Sequence, residues 1–305
     1  MEKFTDPLTT LDGTPRAHVG LKSLKTLWFN TGTLCNLTCK NCYIESSPTN
    51  DRLVYLTVDD VIPFVFEIKE LNLGTQSIGL TGGEPFLNPN IISILKFLLS
   101  EGLEVLVLTN ANRVLKRHRT SLIELNQNYP GLLKLRVSLD HYTKERHDQE
   151  RGAGAFEKTC EDLKWLYAEG FDLSIAGRSL LSETHAESIA GHKNLLIDLG
   201  VDLDIEHKLV VFPEMKSDRD VPEITVKCWD ILAKSPDDQM CASERMIVKR
   251  KGHDHPSVMP CTLLAYDDQF VLGKTLREAK KDVSLNHRFC AEFCVLGGAS
   301  CSSTK

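Results

Sequence analysis

From Thr26 to about Pro213, short apolar and β-branched runs alternate with longer stretches whose apolar positions recur at helical spacing. Six runs predict strands: "TLWFNT" from Thr26, "QSIGLT" from Gln76, "EVLVLT" from Glu104, "LLKLRVSL" from Leu132, "FDLSIAG" from Phe171 and "DLDIEHKLVVF" from Asp202. Helices are predicted between them, near Val58 to Leu73, Asn90 to Glu101, Val114 to Asn128, Ala155 to Glu169 and His185 to Leu199. Gly74, Gly102, Gly170 and Gly200 each close a helical run shortly before a strand, where a left-handed cap is expected. Thr57 with Asp60 three residues later fits a capping box that opens the first helix. Strands and helices alternating through short joints imply an α/β fold with a parallel sheet and right-handed crossovers. Six units fall short of the eight of a full barrel, so a partial (β/α)6 TIM-like barrel, open on one side, is expected over residues 26–215.

Residues 1–25 then form an N-terminal extension, and the texture changes after Pro213. "PEMKSDRDVPEIT" is polar and carries prolines, as a linker does. Residues 216–305 are cysteine-rich, with hairpin-like pieces "RMIVKRKG" and "YDDQFVLGK", and are expected to form a small second domain. No long-period repeat is present beyond the strand–helix alternation.

A chain of 305 residues buries a core that needs no disulfide staples, so size does not explain its ten cysteines. No apolar run is long enough to cross a bilayer, and "MEKFTDPLTTLDGTPRAHVG" lacks the basic start and apolar centre of a secretory signal. A cytoplasmic location is expected, where thiols stay reduced and clustered cysteines serve as metal ligands or redox groups. A net charge of −6 and pI near 5.9 give no electrostatic footprint for nucleic acid.

"TLCNLTCKNCY" places Cys35, Cys39 and Cys42 just after the first predicted strand, at the end of the barrel where such folds keep their chemistry. A structural zinc site takes four ligands and no histidine nearby supplies the fourth; a cubane iron–sulfur cluster also normally takes four thiolates. Three thiolates leave one iron open. At this point the stretch "CNLTCKNCY" resembles the Cys-x3-Cys-x2-Cys-aromatic signature of the radical S-adenosylmethionine (SAM) enzymes, with Tyr43 as the aromatic residue. The resemblance implies a [4Fe-4S] cluster on Cys35, Cys39 and Cys42 whose fourth iron is chelated by SAM. It further implies reductive cleavage to a 5′-deoxyadenosyl radical that takes a hydrogen atom from the substrate. "TGGEP" (Thr81 to Pro85) is similar to the family's motif for the SAM amino group: Gly82 and Gly83 would admit a ligand close to the backbone, and the Glu84 carboxylate suits an ammonium. By the same resemblance Asn110 in "LTNA", Ser138 and Asp140 in "VSLDHYTKERHDQERGAGAF" and Arg178 in "SIAGRS" are candidate SAM contacts, the last for its carboxylate. The likeness covers about residues 26–213.

Cys160 shares an apolar helical stripe with Phe156 and Leu163 and reads as a core thiol. "CASERMIVKRKGHDHPSVMPC" followed by "FVLGKTL" resembles the opening of the SPASM or twitch extension carried by many radical SAM enzymes. That resemblance implies an auxiliary [4Fe-4S] cluster on Cys241, Cys261, Cys290 and Cys294, with Cys301 as a possible replacement ligand and Cys228 without a role. Six remaining cysteines are too few for two fully ligated cubanes; a structural zinc is the alternative. A fully ligated auxiliary cluster suits electron transfer or structure. Among the histidines, His141, His147, His253, His255 and His287 give no clear metal pattern, whereas His207 alternates with Ile205 and Leu209 on the sixth strand and is the best histidine for substrate contact.

The implied function is oxidation or modification of a small molecule or peptide side chain, with a flavodoxin or ferredoxin as reductant. Peptide crosslinking is second, and the roughly 25 residues ahead of the first strand leave little room for a leader-binding domain. Outside catalysis stand an iron–sulfur redox sensor or electron carrier and a zinc-stabilised binding module.

Overall fold

A computed structural model describes residues 2–179, 183–213 and 220–300. The strand–helix alternation begins with β2 (Thr26–Asn30), after a two-residue strand β1 (His18–Val19). It continues through α1 (Val58–Glu70), β3 (Ser77–Thr81), α2 (Ile91–Ser100), β4 (Glu104–Thr109), α3 (Arg119–Asn128), β5 (Leu133–Ser138), α4 (Lys144–Arg151), α5 (Ala155–Ala168), β6 (Asp172–Arg178), α6 (His185–Leu199), α7 (Ile205–Lys208) and β7 (Leu209–Phe212). Then follow α8 (Cys228–Leu232), β8 (Glu244–Val248), β9 (Ser257–Met259), β10 (Val283–Ser284) and a π-helix, Cys290–Leu296.

Strands β2 to β7 pair in parallel and in chain order, which is the expected partial barrel. Helices cover its outer face through apolar stripes. In α1 these are Val61, Phe64, Val65 and Ile68, all buried, and each such side chain contributes about 1.5–3 kcal/mol of transfer free energy. The Thr57–Asp60 capping box is formed, and Gly74, Gly102, Gly170 and Gly200 all have φ between +72° and +74°. No helix among the described residues is long and apolar enough to cross a membrane.

Three elements differ from the sequence reading. The predicted sixth strand is cut in half: Asp204 caps a helical turn, its carbonyl accepting from His207 N at 3.1 Å and Lys208 N at 2.8 Å. An aspartate before a lone buried Ile205 favours a turn over a ladder, so strand pairing starts only at Leu209. His207 therefore points to solvent, its side chain 72% exposed beside Asp204, and does not line the barrel cavity. Helix α4, "KERHDQER", has no apolar stripe and only His147 buried, so periodicity gave no sign of it. Residues Val114–His118 form a 3-10 turn, and α3 starts at Arg119.

The C-terminal part does not stand beside the barrel as a separate sheet. Strand β8 pairs in parallel with β2, and β9 folds back antiparallel on β8, so one eight-stranded sheet runs β7-β6-β5-β4-β3-β2-β8-β9. Trp28 on β2, fully buried, donates from Nε1 to Glu244 Oε2 at 2.7 Å. The N-terminal extension also joins this part: β1 pairs with β10, and the buried Arg16 guanidinium donates to Glu223 at 2.6 Å and to the Leu285 carbonyl at 3.3 Å.

Candidate active site

The C-terminal ends of the barrel strands surround a cavity of about 170 Å3 that opens to solvent and holds Cys35, Cys39 and Cys42 on one side. The cysteine loop leaves β2 and is fastened at every turn. Gly83 N donates to Gly32 O at 2.8 Å and Glu84 N to Leu34 O at 3.2 Å. Lys40 N donates to Glu150 O at 2.9 Å, and Asn41 Nδ2 to Glu150 Oε2 at 2.8 Å, so the C-terminal end of α4 grips the loop from the far side. Tyr266 Oη donates to Ile44 O at 2.6 Å. Tyr43 Oη donates to Pro213 O at 3.0 Å, and its ring meets Phe212 and Phe293 edge-on.

The glycines of "TGGEP" serve this fastening. Gly82 has φ +138°, and a Cβ on Gly82 or Gly83 would run into the backbone oxygens of Gly32 or Leu34. Both glycines line the cavity, and the backbone they let close is that of the cysteine loop. Glu84, only 1% exposed, is not among the cavity-lining residues. Its Oε1 accepts from Phe86 N at 3.1 Å and Thr109 Oγ1 at 2.9 Å, and its Oε2 from Asn110 N at 2.8 Å. The carboxylate thus ties the end of β3 to the end of β4, which differs from the free ligand contact read from the sequence. Asn110 lines the cavity but is likewise engaged: Nδ2 donates to Asn36 Oδ1 at 2.9 Å and reaches Cys35 Sγ at 3.6 Å, and Oδ1 accepts from Asn112 N at 2.9 Å.

Burial pushes the Glu84 carboxyl up to about 7 from an ordinary 4.5, outweighing three donated hydrogen bonds. A proton held more tightly in the folded state stabilises it fully below about pH 4.5, and that contribution is lost as pH rises through about 7. In the metal-free protein, Glu84→Gln is therefore expected to lose stability and to flatten the fall in Tm between these pH values. Thermal melts of both proteins across that range check this; parallel curves would contradict it.

Ser138, Asp140 and Arg178 line the cavity at the ends of β5 and β6. Arg178 is 8% exposed, lies 4.8 Å over the Tyr43 ring, and has Nε and Nη1 buried without a hydrogen-bond partner. Asp140 is not free: Arg151 Nε and Nη2 donate to its two oxygens at 2.8 and 2.9 Å. Arg151, the last residue of α4, was missed in the sequence because it sits in a polar helix with no apolar period; its spacing eleven residues after Asp140 carries no recognised signal.

Cys241, Cys261 and Cys290 are buried near one another. Burial pushes the first two thiols up to about 12, and it also raises Cys290, with Cys261 and Cys241 among the further causes. The buried Arg245 guanidinium is close enough to both Cys241 and Cys261 to feel their charge. Cys294 is half-buried, four residues after Cys290 on the π-helix. Cys228 Sγ accepts locally from Thr225 N at 3.4 Å, and Cys301 lies outside the described residues. Cys160 is buried in the core, its thiol pushed up to about 12. Among the described residues no three His, Cys, Asp or Glu side chains are placed to hold a single metal ion. His147 is fully buried and pushed down to about 4 by burial and by Arg151.

A family model described as "Radical SAM superfamily" matches residues 29–187, just over half of the chain. Among curated proteins, the "Antilisterial bacteriocin subtilosin biosynthesis protein AlbA" of Bacillus subtilis is 32% identical over 143 residues, which is 47% of this chain and 30% of that protein. An "AdoMet-dependent heme synthase" of Methanosarcina barkeri is 30% identical over 167 residues, 54% of this chain and 45% of the relative. The chain thus matches less than half the length of each. Among solved structures, Streptococcus suis SuiB bound to precursor peptide SuiA has a TM-score of 0.61 at 15% identity, covering 92% of this chain and 67% of SuiB. The histidine-tagged form of anSMEcpe with bound AdoMet has a TM-score of 0.59 at 17% identity, covering 87% of this chain and 79% of that one. At these identities the likeness concerns the fold.

Proposed function

This chain belongs to the radical SAM superfamily, whose members use a [4Fe-4S] cluster and SAM, and from that premise we propose that it reductively cleaves SAM and takes a hydrogen atom from a small molecule or peptide side chain. The observation that carries the reading is the pairing, within one cavity, of three free thiols with the buried Arg178 guanidinium, whose Nε and Nη1 have no hydrogen-bond partner.

The residues fit the group. Burial pushes the Cys35 thiol up to about 12, so its deprotonation needs a cation, which a cluster iron is. Cys35, Cys39 and Cys42 would hold the cluster, and Arg178 would meet the SAM carboxylate through two charge-assisted hydrogen bonds. Ser138 and the cavity-facing backbone of Gly82 and Gly83 complete the polar wall. When bound, the cluster supplies an electron and SAM the radical that abstracts hydrogen. The chain contributes placement and dryness: Asn110 steadies Cys35, Glu84 pins the two strand ends behind it, and Tyr43, Leu263 and Phe212 line the cavity with apolar surface.

Cys241, Cys261, Cys290 and Cys294 are proposed to carry one auxiliary [4Fe-4S] cluster, which suits an electron conduit for net oxidation of substrate. Flavodoxin or ferredoxin in a reducing cytoplasm is the proposed electron source. The crosslinking of a peptide is the second reading, favoured by the relation to a bacteriocin biosynthesis protein and the fold shared with a protein bound to its precursor peptide.

The test is anaerobic reconstitution, reduction and addition of SAM, followed by chromatography of nucleosides. Release of 5′-deoxyadenosine is expected, and Arg178→Met should weaken SAM binding about tenfold or more, from the loss of charged hydrogen bonds of about 1.5–3 kcal/mol. An iron-loaded protein that releases none is a redox sensor or carrier, and zinc without sulfide identifies a binding module.

A further inference from the structure

Arg151 and Asp140 form a buried ion pair in the cavity wall, with side chains 12% and 6% exposed. The pair is held from two directions. The Asp140 carbonyl accepts from Arg178 N at 2.9 Å, fixing the β5 end to the β6 end. Glu150, next to Arg151, grips Lys40 and Asn41 between the second and third cysteines. Arg151 lines the same cavity as Cys39 and Cys42, near enough for its charge to act on both sulfurs. Its Nε and Nη2 are committed to Asp140, so the guanidinium cannot swing away without breaking two charged hydrogen bonds. A cation next to thiolate ligands favours whichever state of the site carries more negative charge, and a buried carboxylate on the same cation opposes it.

We propose that the Arg151–Asp140 pair sets the reduction potential of the cluster on Cys35, Cys39 and Cys42, Arg151 raising it and Asp140 tempering that effect. The inference rests on the cluster assignment above and goes beyond it, since it assigns tuning to two residues that hold no iron. One-electron reduction adds a negative charge to the cluster, so loss of the cation makes that electron harder to accept, and loss of the carboxylate makes it easier. The grip on residues 39–42 fixes the distance over which the pair acts, and Arg151 is a positioning residue for the field at the cluster.

The experiment is a mediated potentiometric titration of the reconstituted protein without SAM, read by electron paramagnetic resonance, for wild type, Arg151→Gln, Arg151→Lys and Asp140→Asn. The auxiliary cysteines are left intact and iron is counted in every sample. Expected are about tenfold less reduced core cluster at fixed ambient potential in Arg151→Gln, equivalent to about −59 mV for one electron, a smaller change in Arg151→Lys, and a shift of opposite sign in Asp140→Asn. Opposite signs are the signature that misfolding of the loop would not give. Unchanged potentials with weakened SAM binding would overturn the proposal and make Arg151 an anchor for SAM. Shifts of the same sign in both neutralising variants would also overturn it. A wild type that binds no iron would instead refute the cluster assignment itself.

Discussion

Replacing Cys35, Cys39 and Cys42 together by alanine is expected to lower iron from about eight to about four per chain, and acid-labile sulfide with it, and to abolish release of 5′-deoxyadenosine. All three sulfurs line one cavity, and among the described residues none is in a disulfide. The cysteine loop is anchored by backbone contacts to Gly32, Leu34, Ser47 and Glu150 that do not involve the thiols, so the fold should survive: Cys35 N, for one, donates to Ser47 O at 3.0 Å. Far-ultraviolet circular dichroism should therefore be unchanged while iron falls. If iron falls from about four to none instead, the tail carries zinc or nothing, and the auxiliary conduit is refuted.

Gly83→Ala should cost about 3 kcal/mol or more and leave the protein unable to retain the core cluster. The new methyl would be driven into the Leu34 carbonyl, a backbone atom that cannot turn aside, and beside it the Thr33 carbonyl. Relief requires the cysteine loop to move off β3, which breaks Gly83 N to Gly32 O and displaces Cys35. Gly102→Ala is the control: its φ is +74° but nothing lies within 4 Å of an added Cβ, so only the left-handed backbone cost of about 1 kcal/mol applies. Denaturant melts separate the two, and iron content should fall in the first alone. Equal costs would show that the contact with the cysteine loop is not what fixes a glycine at position 83.

The barrel was legible because each strand–helix unit writes its own period: apolar runs at Thr26, Gln76 and Glu104 became β2, β3 and β4 within a residue, and the glycine caps fell where left-handed backbone is found. The cysteine triplet was legible through spacing. What escaped depends on partners distant in sequence or on polarity alone. Helix α4 has no apolar stripe, since its work is done by Glu150 and Arg151 at its end. The turn at Asp204 overrode an alternation that was too short to decide between strand and helix, and took His207 out of the site with it. Glu84 was identified through the resemblance of "TGGEP" to a ligand-binding motif, but nothing in those five residues tells a carboxylate facing ligand from one facing three protein donors. The partner of β8 could not be read either, because alternation marks a strand and not the neighbour it chooses.

That choice of neighbour has a practical outcome for anyone dividing the protein. A fragment ending near residue 213 would keep every unit of the barrel, yet it would strip β2 of the hydrogen bonds from Thr26 to Phe29 and leave the Trp28 indole without its acceptor. An unprotected parallel strand at a sheet margin invites association with other chains. The cysteine-rich segment therefore behaves as the final stave of the barrel, and a workable graft or chimera must keep the chain through β10 and the π-helix and not be cut at the polar linker.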